Sequence, residues 1–283
     1  MRLPAHFCFL VNNTPGLREG TVTLHRNTRM RLHFQNVTTT LYSFTLVYGL
    51  TLGTASHAAT ENFSSCPQFF ANAKPPPVAA RTTNRALCYD AFAVLHSGES
   101  KTPVYVAERL NHAAVLDAGE KRTNRFFADA RLRSAERATL DDYKGSGYDR
   151  GHMAPAGDMP TAQAMAQSFS LANMVPQVPE HNRGVWAKSV EQATRNYALR
   201  ASGDVYVITG PVYVPSIAQS PAIGPGQVRV PKYLFKLVYD QDRNRAWAHW
   251  QENSATSRAG RPISYDELVK RTGVDYLSGV RPN

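Results

Sequence analysis

Cysteine is scarce. There are three in the chain, Cys8, Cys66 and Cys88. Once an N-terminal leader carrying Cys8 is set aside, two remain, and two cysteines alone cannot make a structural zinc site, which takes four ligands. An even pair is what an oxidising compartment uses, so Cys66 and Cys88 are expected to form a disulfide closing an N-terminal loop. Long apolar runs are also missing. The longest uncharged apolar stretch, "LYSFTLVYGLTLG" at 41–53, is shorter than the roughly 20 residues that span a bilayer. No stable membrane span is therefore expected. Internal repeats are absent, and no break in composition divides residues 85–283.

Acidic residues are in deficit: 22 Asp and Glu against 32 Lys and Arg, a formal net charge of +10. Such a balance suits a polyanionic partner such as nucleic acid, an anionic membrane surface or polysaccharide. Apolar residues make up 42% of the chain and charged ones 19%, which excludes a disordered polyelectrolyte.

The N-terminal fifth reads as a targeting segment. Arg31 precedes the apolar stretch, and "SHAA" at 56–59 offers small residues for cleavage near Ala58 or Ala59, the layout of a secretory signal. Met30 then becomes the start, residues 1–29 a non-native or untranslated extension, and 30–59 the signal peptide. The product is expected to be secreted or periplasmic. Residues 1–59 hold five arginines and one acid, so the remainder keeps a net charge of +6.

Past residue 60 an arm over 60–84, stiffened by Pro75-Pro76-Pro77, leads into one domain over 85–283. "YDAFAVLHS" and "TPVYVAERL" flank "GESK" as a hairpin. Residues 117–148 read as loop with short helical pieces. "DMPTAQAMAQSFSL" (158–171) reads as a helix capped by Asp158. Residues 183–201 read as an amphipathic helix with Trp186, Val190, Ala193 and Tyr197 on one face. "DVYVITGPVYV" is a buried strand broken at Gly210-Pro211, and "QDRN" turns a second hairpin. "PISYDELVKRTG" has Ser264 with Glu267 as a capping box and Gly273 as its stop. The sum is an α+β domain with an antiparallel sheet.

One stretch concentrates chemistry: "GYDRGHMAPAGDM", with Asp149, Arg150, Gly151 and His152 in succession. Downstream come Asn182, Glu191 and Arg195, the last two four apart and so on one helix face. Phosphodiester hydrolysis needs an activated water, charge neutralisation on the phosphate and help for the leaving oxygen. A histidine can take the water's proton, Mg²⁺ needs few protein oxygens, and arginine can hold phosphoryl oxygens. Each residue alone has a plainer reading: Asn182 as a helix cap, Glu191 with Arg195 as a surface ion pair, His152 as a structural ring.

Their order decides the weighing. "YDRGHMAP" followed by "LANMVPQVPEHNRGVWAKSVEQATR" resembles the DNA/RNA non-specific endonuclease family, with its ββα-metal fold. The likeness continues through "VYVITGP", "VPKYLFKLVYD" and "ISYDELVKRTG", over roughly residues 85–280. The resemblance implies His152 as general base, Asn182 as direct ligand of one Mg²⁺ (Mn²⁺ a candidate substitute) and Glu191 as holder of the metal's water shell. It implies Arg195 as transition-state stabiliser, Asp149 and Arg150 as parts of the signature, and Asn173 as a second site asparagine, placed with the substrate-binding residues. An upstream phosphate-binding arginine is expected at Arg122 or Arg125, with Arg125 preferred. Implied too are DNA and RNA as substrates and 5′-phosphate products. Asn182 and Glu191 are nine residues apart, whereas some members have eight, and one residue turns a helix by about 100°. Two other readings stay in view: a nuclease-fold protein that binds nucleic acid for uptake without cutting it, and a basic surface protein. A homodimer or an inhibitor protein as partner is left open. Activity is expected to fall at acid pH, down to pH 5, as His152 protonates, since only neutral imidazole accepts a proton.

Overall fold

The computed structural model describes residues 62–283. The extension at 1–29, the signal segment at 30–59, its cleavage point and Cys8 lie outside the described residues. In chain order the elements are β1 (Asn84–Cys88), β2 (Phe92–Ser97), β3 (Thr102–Leu110), α1 (His112–Leu116), α2 (Leu140–Tyr143), β4 (Asp149–His152), α3 (Ala162–Ser168), β5 (Met174–Gln177) and α4 (Pro179–His181). A π-helical stretch (Asn182–Glu191) runs into α5 (Gln192–Ala198). Then follow β6 (Val205–Val212), β7 (Ala222–Ile223), β8 (Val228–Arg229), β9 (Tyr233–Asp240), β10 (Arg245–Glu252), β11 (Ile263–Ser264) and α6 (Tyr265–Thr272).

Seven strands form one antiparallel sheet in the order β1-β2-β3-β6-β9-β10-β11. Both faces are covered, which is why β6 and β9 read as continuous apolar runs rather than as alternation. One face packs Tyr105, Ile208, Phe235 and Leu237 against Phe63, Phe69 and Phe70 of the arm and Leu268 of α6. The other packs Val94, Val106 and Leu234 against Met153, Met159, Phe169, Trp186 and Val190. The site is built on this second face.

Both expected hairpins form, β2 with β3 and β9 with β10. Cys66 and Cys88 are joined, Cα to Cα 5.8 Å. The arm is not extended, however. Three 3₁₀ turns at Phe63–Ser65, Pro67–Phe69 and Ala71–Ala73 bury its aromatic residues, and its end becomes the edge strand β1. Gly210-Pro211 does not break β6. The β3–β6 ladder ends at Thr209, so Pro211 sits where no β3 bond is lost, still paired with Leu234 of β9. A side chain at Gly210 would meet the Phe235 ring at 2.7 Å, so glycine is required there for packing. The helix expected over 158–171 is confined to α3. Thr161 is its cap, accepting from the Ala164 N–H at 3.1 Å, because the Asp158 carboxylate is engaged elsewhere. α6 starts and stops where expected: Ser264 Oγ accepts from Glu267 N, and Gly273 ends it at φ 72°.

Candidate active site

The stretch Asp149–His152 is strand β4, paired antiparallel with β5. Helix follows directly from Pro179, so β4, β5 and the helical run to Ala198 make a ββα unit resting on the sheet. Gly151 is fixed by packing within this hairpin. A Cβ there would lie 2.0 Å from Gln177 Oε1, so no side chain fits. His152 follows with its ring edge-on to Phe169 (centroids 5.0 Å apart) and 5.9 Å from Phe126. It is 7% exposed, and its buried Nε2 has no hydrogen-bond partner.

The chain after His152 is clamped by Asn173. Asn173 Oδ1 accepts from Ala154 N at 2.9 Å, and Nδ2 donates to the carbonyls of Ala154 and Ser168, each at 2.9 Å. Fully buried and fully bonded, Asn173 has no group to offer substrate. Its expected place among substrate-binding residues is corrected to support of the loop that carries the histidine.

Opposite β4, Asn182 Nδ2 donates to Asp149 Oδ2 at 2.9 Å. This bond fixes the amide so that its carbonyl oxygen is the free acceptor. Arg183 braces the same carboxylate through Nε at 2.8 Å and Nη2 at 2.5 Å. Against the cost of burial, these donors hold Asp149 below the usual carboxylate range. Asp149 is thus the orienter of Asn182. It reaches the cavity only through Asn182 and Arg183, which line it while Asp149 does not.

The nine-residue spacing is resolved by the π-helical stretch. Nine residues are two and a half α turns and would put Asn182 and Glu191 on opposite faces, but they are about two π turns. The Gln192 N–H bonds back to Ala187 O, five residues earlier, and Gly184 takes a non-helical φ/ψ of −97°/−111° that kinks the start. Both residues consequently line one cavity of about 340 Å³, together with His152, Arg122, Arg150 and Arg195.

Four guanidinium groups, those of Arg122, Arg150, Arg183 and Arg195, around one carboxylate make this cavity receptive to an anion. Arg150 lies 4.2 Å from the Phe126 centroid and Arg122 5.0 Å from that of Phe169, each ring flanking His152. Of the two upstream candidates the fold brings Arg122 to the cavity. Arg125, the preferred one, does not line it, a correction that follows from the seat of Arg122 on Phe169. Burial, then the charges of Arg122 and Arg150, lower the His152 pKa to about 3. The ring therefore stays neutral well below pH 5, and the expected acid fall-off from histidine protonation is withdrawn. Burial raises Glu191 to about 7, with Lys236 opposing and Asp158 adding to the rise.

Sequence reasoning missed the floor beneath these groups. Lys236 and Glu108, both fully buried, face each other at 3.7 Å. Lys236 Nζ donates to Thr209 Oγ1 at 2.8 Å and reaches the Met153 carbonyl at 3.4 Å. It also missed Asp158, which accepts from Arg195 Nη1 at 2.8 Å. The only signal for either was a charge inside an apolar run.

Residues 71–283 match the family described as DNA/RNA non-specific endonuclease. The chain belongs to that family. It is 34% identical over 173 residues to "Nuclease EXOG, mitochondrial" of Xenopus laevis, an alignment covering 58% of this chain and 46% of that protein. To "Endonuclease G, mitochondrial" of Homo sapiens it is 34% identical over 160 residues, covering 54% and 51%. The chain thus spans about half the length of these curated relatives. Among solved structures, "Crystal structure of the EndoG/EndoGI complex: Mechanism of EndoG inhibition" superposes with a TM-score of 0.62 at 24% identity, over 69% of this chain and 86% of that one. That likeness establishes the fold, a ββα-metal nuclease fold of α+β class.

The family works with a divalent cation. Among the described residues no group of three or more His, Cys, Asp or Glu side chains could hold a metal. The donors present, one amide oxygen and one carboxylate, fit a hard cation that keeps most of its waters. No helix of the described residues is long and apolar enough to cross a membrane.

Proposed function

We propose that the chain is a sugar-non-specific endonuclease, hydrolysing phosphodiester bonds of DNA and RNA and leaving 5′-phosphate ends. The observation that carries this is the unpartnered, neutral Nε2 of His152 in one cavity with Asn182, Glu191 and four arginines.

His152 Nε2 accepts the proton of a water as its oxygen attacks phosphorus, and the bond from phosphorus to the 3′-oxygen breaks. Water is the nucleophile, so a ribose 2′-OH is not required and both sugars are accepted. Arg122 and Arg150 bind the phosphate, and Arg195 stabilises the charge that grows on its oxygens. Mg²⁺, or Mn²⁺ in its place, would be held by Asn182 directly and by Glu191 through water, and supplies charge neutralisation at the leaving oxygen. None of these groups reads a base, so cutting is independent of sequence and weakens with salt. The solved EndoG/EndoGI complex is one of EndoG inhibition. By analogy, an inhibitor protein that blocks this cavity is a partner class for the present chain.

We place the mature protein outside the cytosol, on the N-terminal pattern and the Cys66–Cys88 disulfide. The named relatives are mitochondrial, and sequencing the mature N-terminus decides between the two. A start at residue 59 or 60 supports export.

The experiment is cleavage of supercoiled plasmid and of single-stranded RNA by the wild type and His152→Ala, with Mg²⁺ and with chelator. Loss of both substrates to the wild type alone, and only with metal, is expected. Salt-sensitive binding without cutting by the wild type would give the uptake-protein reading instead.

A further inference from the structure

Glu191 and Arg195 stand four residues apart, acid first, the order that favours a closed ion pair on a helix. α6 supplies an internal control. Glu267 and Arg271 have the same spacing and order, and there Arg271 Nε donates to Glu267 Oε1 at 2.7 Å. In the cavity the equivalent pair is open. Arg195 turns to Asp158, Nη1 to Oδ1 at 2.8 Å, while Nη2 donates to Gln192 Oε1 at 3.3 Å.

Asp158 is placed to win this competition. Its side chain is 1% exposed, and that of Arg195 is 17% exposed. A charge-assisted bond so far from water is stronger than one to a half-buried carboxylate. The turn Ala156–Asp158, six residues past His152, is shaped around the guanidinium. A Cβ on Gly157 would sit 3.2 Å from Arg195 Nη1, so the arginine lies against bare main chain.

Resting on the functional reading above, we propose that Asp158 is a positioning residue that keeps Arg195 from closing onto Glu191. The arginine then stays available to phosphoryl oxygens, and the carboxylate to the water shell of a divalent cation. Without the Asp158 charge, a half-buried guanidinium loses its counter-charge, and Glu191 is the acid one turn away that can replace it.

The test uses the purified chain as wild type, Asp158→Asn, Arg195→Ala and the double variant. Mn²⁺ binding is measured by calorimetry, with kcat and KM on plasmid and a thermal melt as the check on folding. Asp158→Asn is expected to weaken Mn²⁺ binding about tenfold and to lower kcat about tenfold or more with little change in KM. Adding Arg195→Ala should return Mn²⁺ binding to within about twofold of wild type without restoring kcat. A merely structural Asp158 cannot give that restoration. Unchanged Mn²⁺ binding in Asp158→Asn, or weak binding that persists in the double variant, overturns the proposal. Should Asp158→Asn not fold, Gly157→Ala pushes the same guanidinium and is read alone and with Arg195→Ala in the same way. A wild type that binds Mn²⁺ but cuts neither DNA nor RNA defeats the functional reading, whereas one that cuts while the variants fail the pattern defeats only the role of Asp158.

Discussion

His152 and Asn173 divide the labour at the level of single residues. The histidine presents an unpartnered nitrogen, and the asparagine spends every bond on the loop behind it. Asn173→Ala strands three buried main-chain groups and should cost about 3 kcal/mol. A thermal melt checks this, and KM for plasmid should stay near wild type, since Asn173 touches no substrate. Because burial and two arginines keep His152 neutral, any acid limb in the activity belongs to another group. Under the proposed role Glu191 is that group: burial raises it to about 7, and holding a cation's waters would need it ionised. A bound cation lowers this value, so the limb should move to lower pH as Mg²⁺ is raised. A limb that stays fixed across a Mg²⁺ series contradicts the assignment. His152, Asn182, Glu191 and Arg195 were legible in the sequence because they belong to one nearly contiguous motif. Arg122 was not separable from Arg125, since its seat is the ring of Phe169, set by tertiary packing. Asp158 read as a helix cap because its partner Arg195 arrives from a different element.

Among the elements, the helical run after β5 departs most from its sequence reading. Period-matching assumes 3.6 residues per turn and cannot register a stretch wound with i→i+5 bonds. The apolar positions Trp186 and Val190 did announce the buried face, so existence was legible and winding was not. The winding makes a prediction. Deleting the exposed Lys188 should convert part of the π stretch to α-helix, with stability kept or raised and cleavage retained within about tenfold. Inserting an alanine at the same point should turn Glu191 by about 100° and abolish cleavage. Helix content by circular dichroism and plasmid cutting check both, and a dead deletion variant that still folds would contradict this account of the spacing. The strands were legible as apolar runs. Their order in the sheet was not, since β9 enters beside β6 through pairings no local pattern encodes.

For the whole molecule, stability should depend steeply on acid. His96, His152 and His181 are buried, with pKa values lowered to about 4, 3 and 4, burial leading in each case. A folded-state pKa below the unfolded one means that the unfolded chain takes up protons first. Stability is therefore lost as pH falls from about 6.5 towards 4. With His249, also lowered to about 4, and against the raised Glu191 and Glu108, which keep protons in the folded chain over the same range, a net of two such protons gives about 3 kcal/mol per pH unit across that window. Denaturant melts at pH 7, 6 and 5 measure the slope, and a flat profile would contradict the burial of these rings. Opening the Cys66–Cys88 loop should remove about 3 kcal/mol, read as a fall in melting temperature on adding reductant.

The position of β9 bears on the cell that makes this chain. The strand carrying Lys236 lies in the middle of the sheet, yet it follows every residue that lines the cavity. During synthesis His152 and the arginines around it leave the ribosome before β6 and β9 of the sheet beneath them. Glu108 stays without its lysine, and the loop behind His152 without one of its anchors, until the last quarter of the message has been read. Wherever the chain folds, the site proposed to cut nucleic acid therefore gains its buried lysine only once this late strand has joined the sheet.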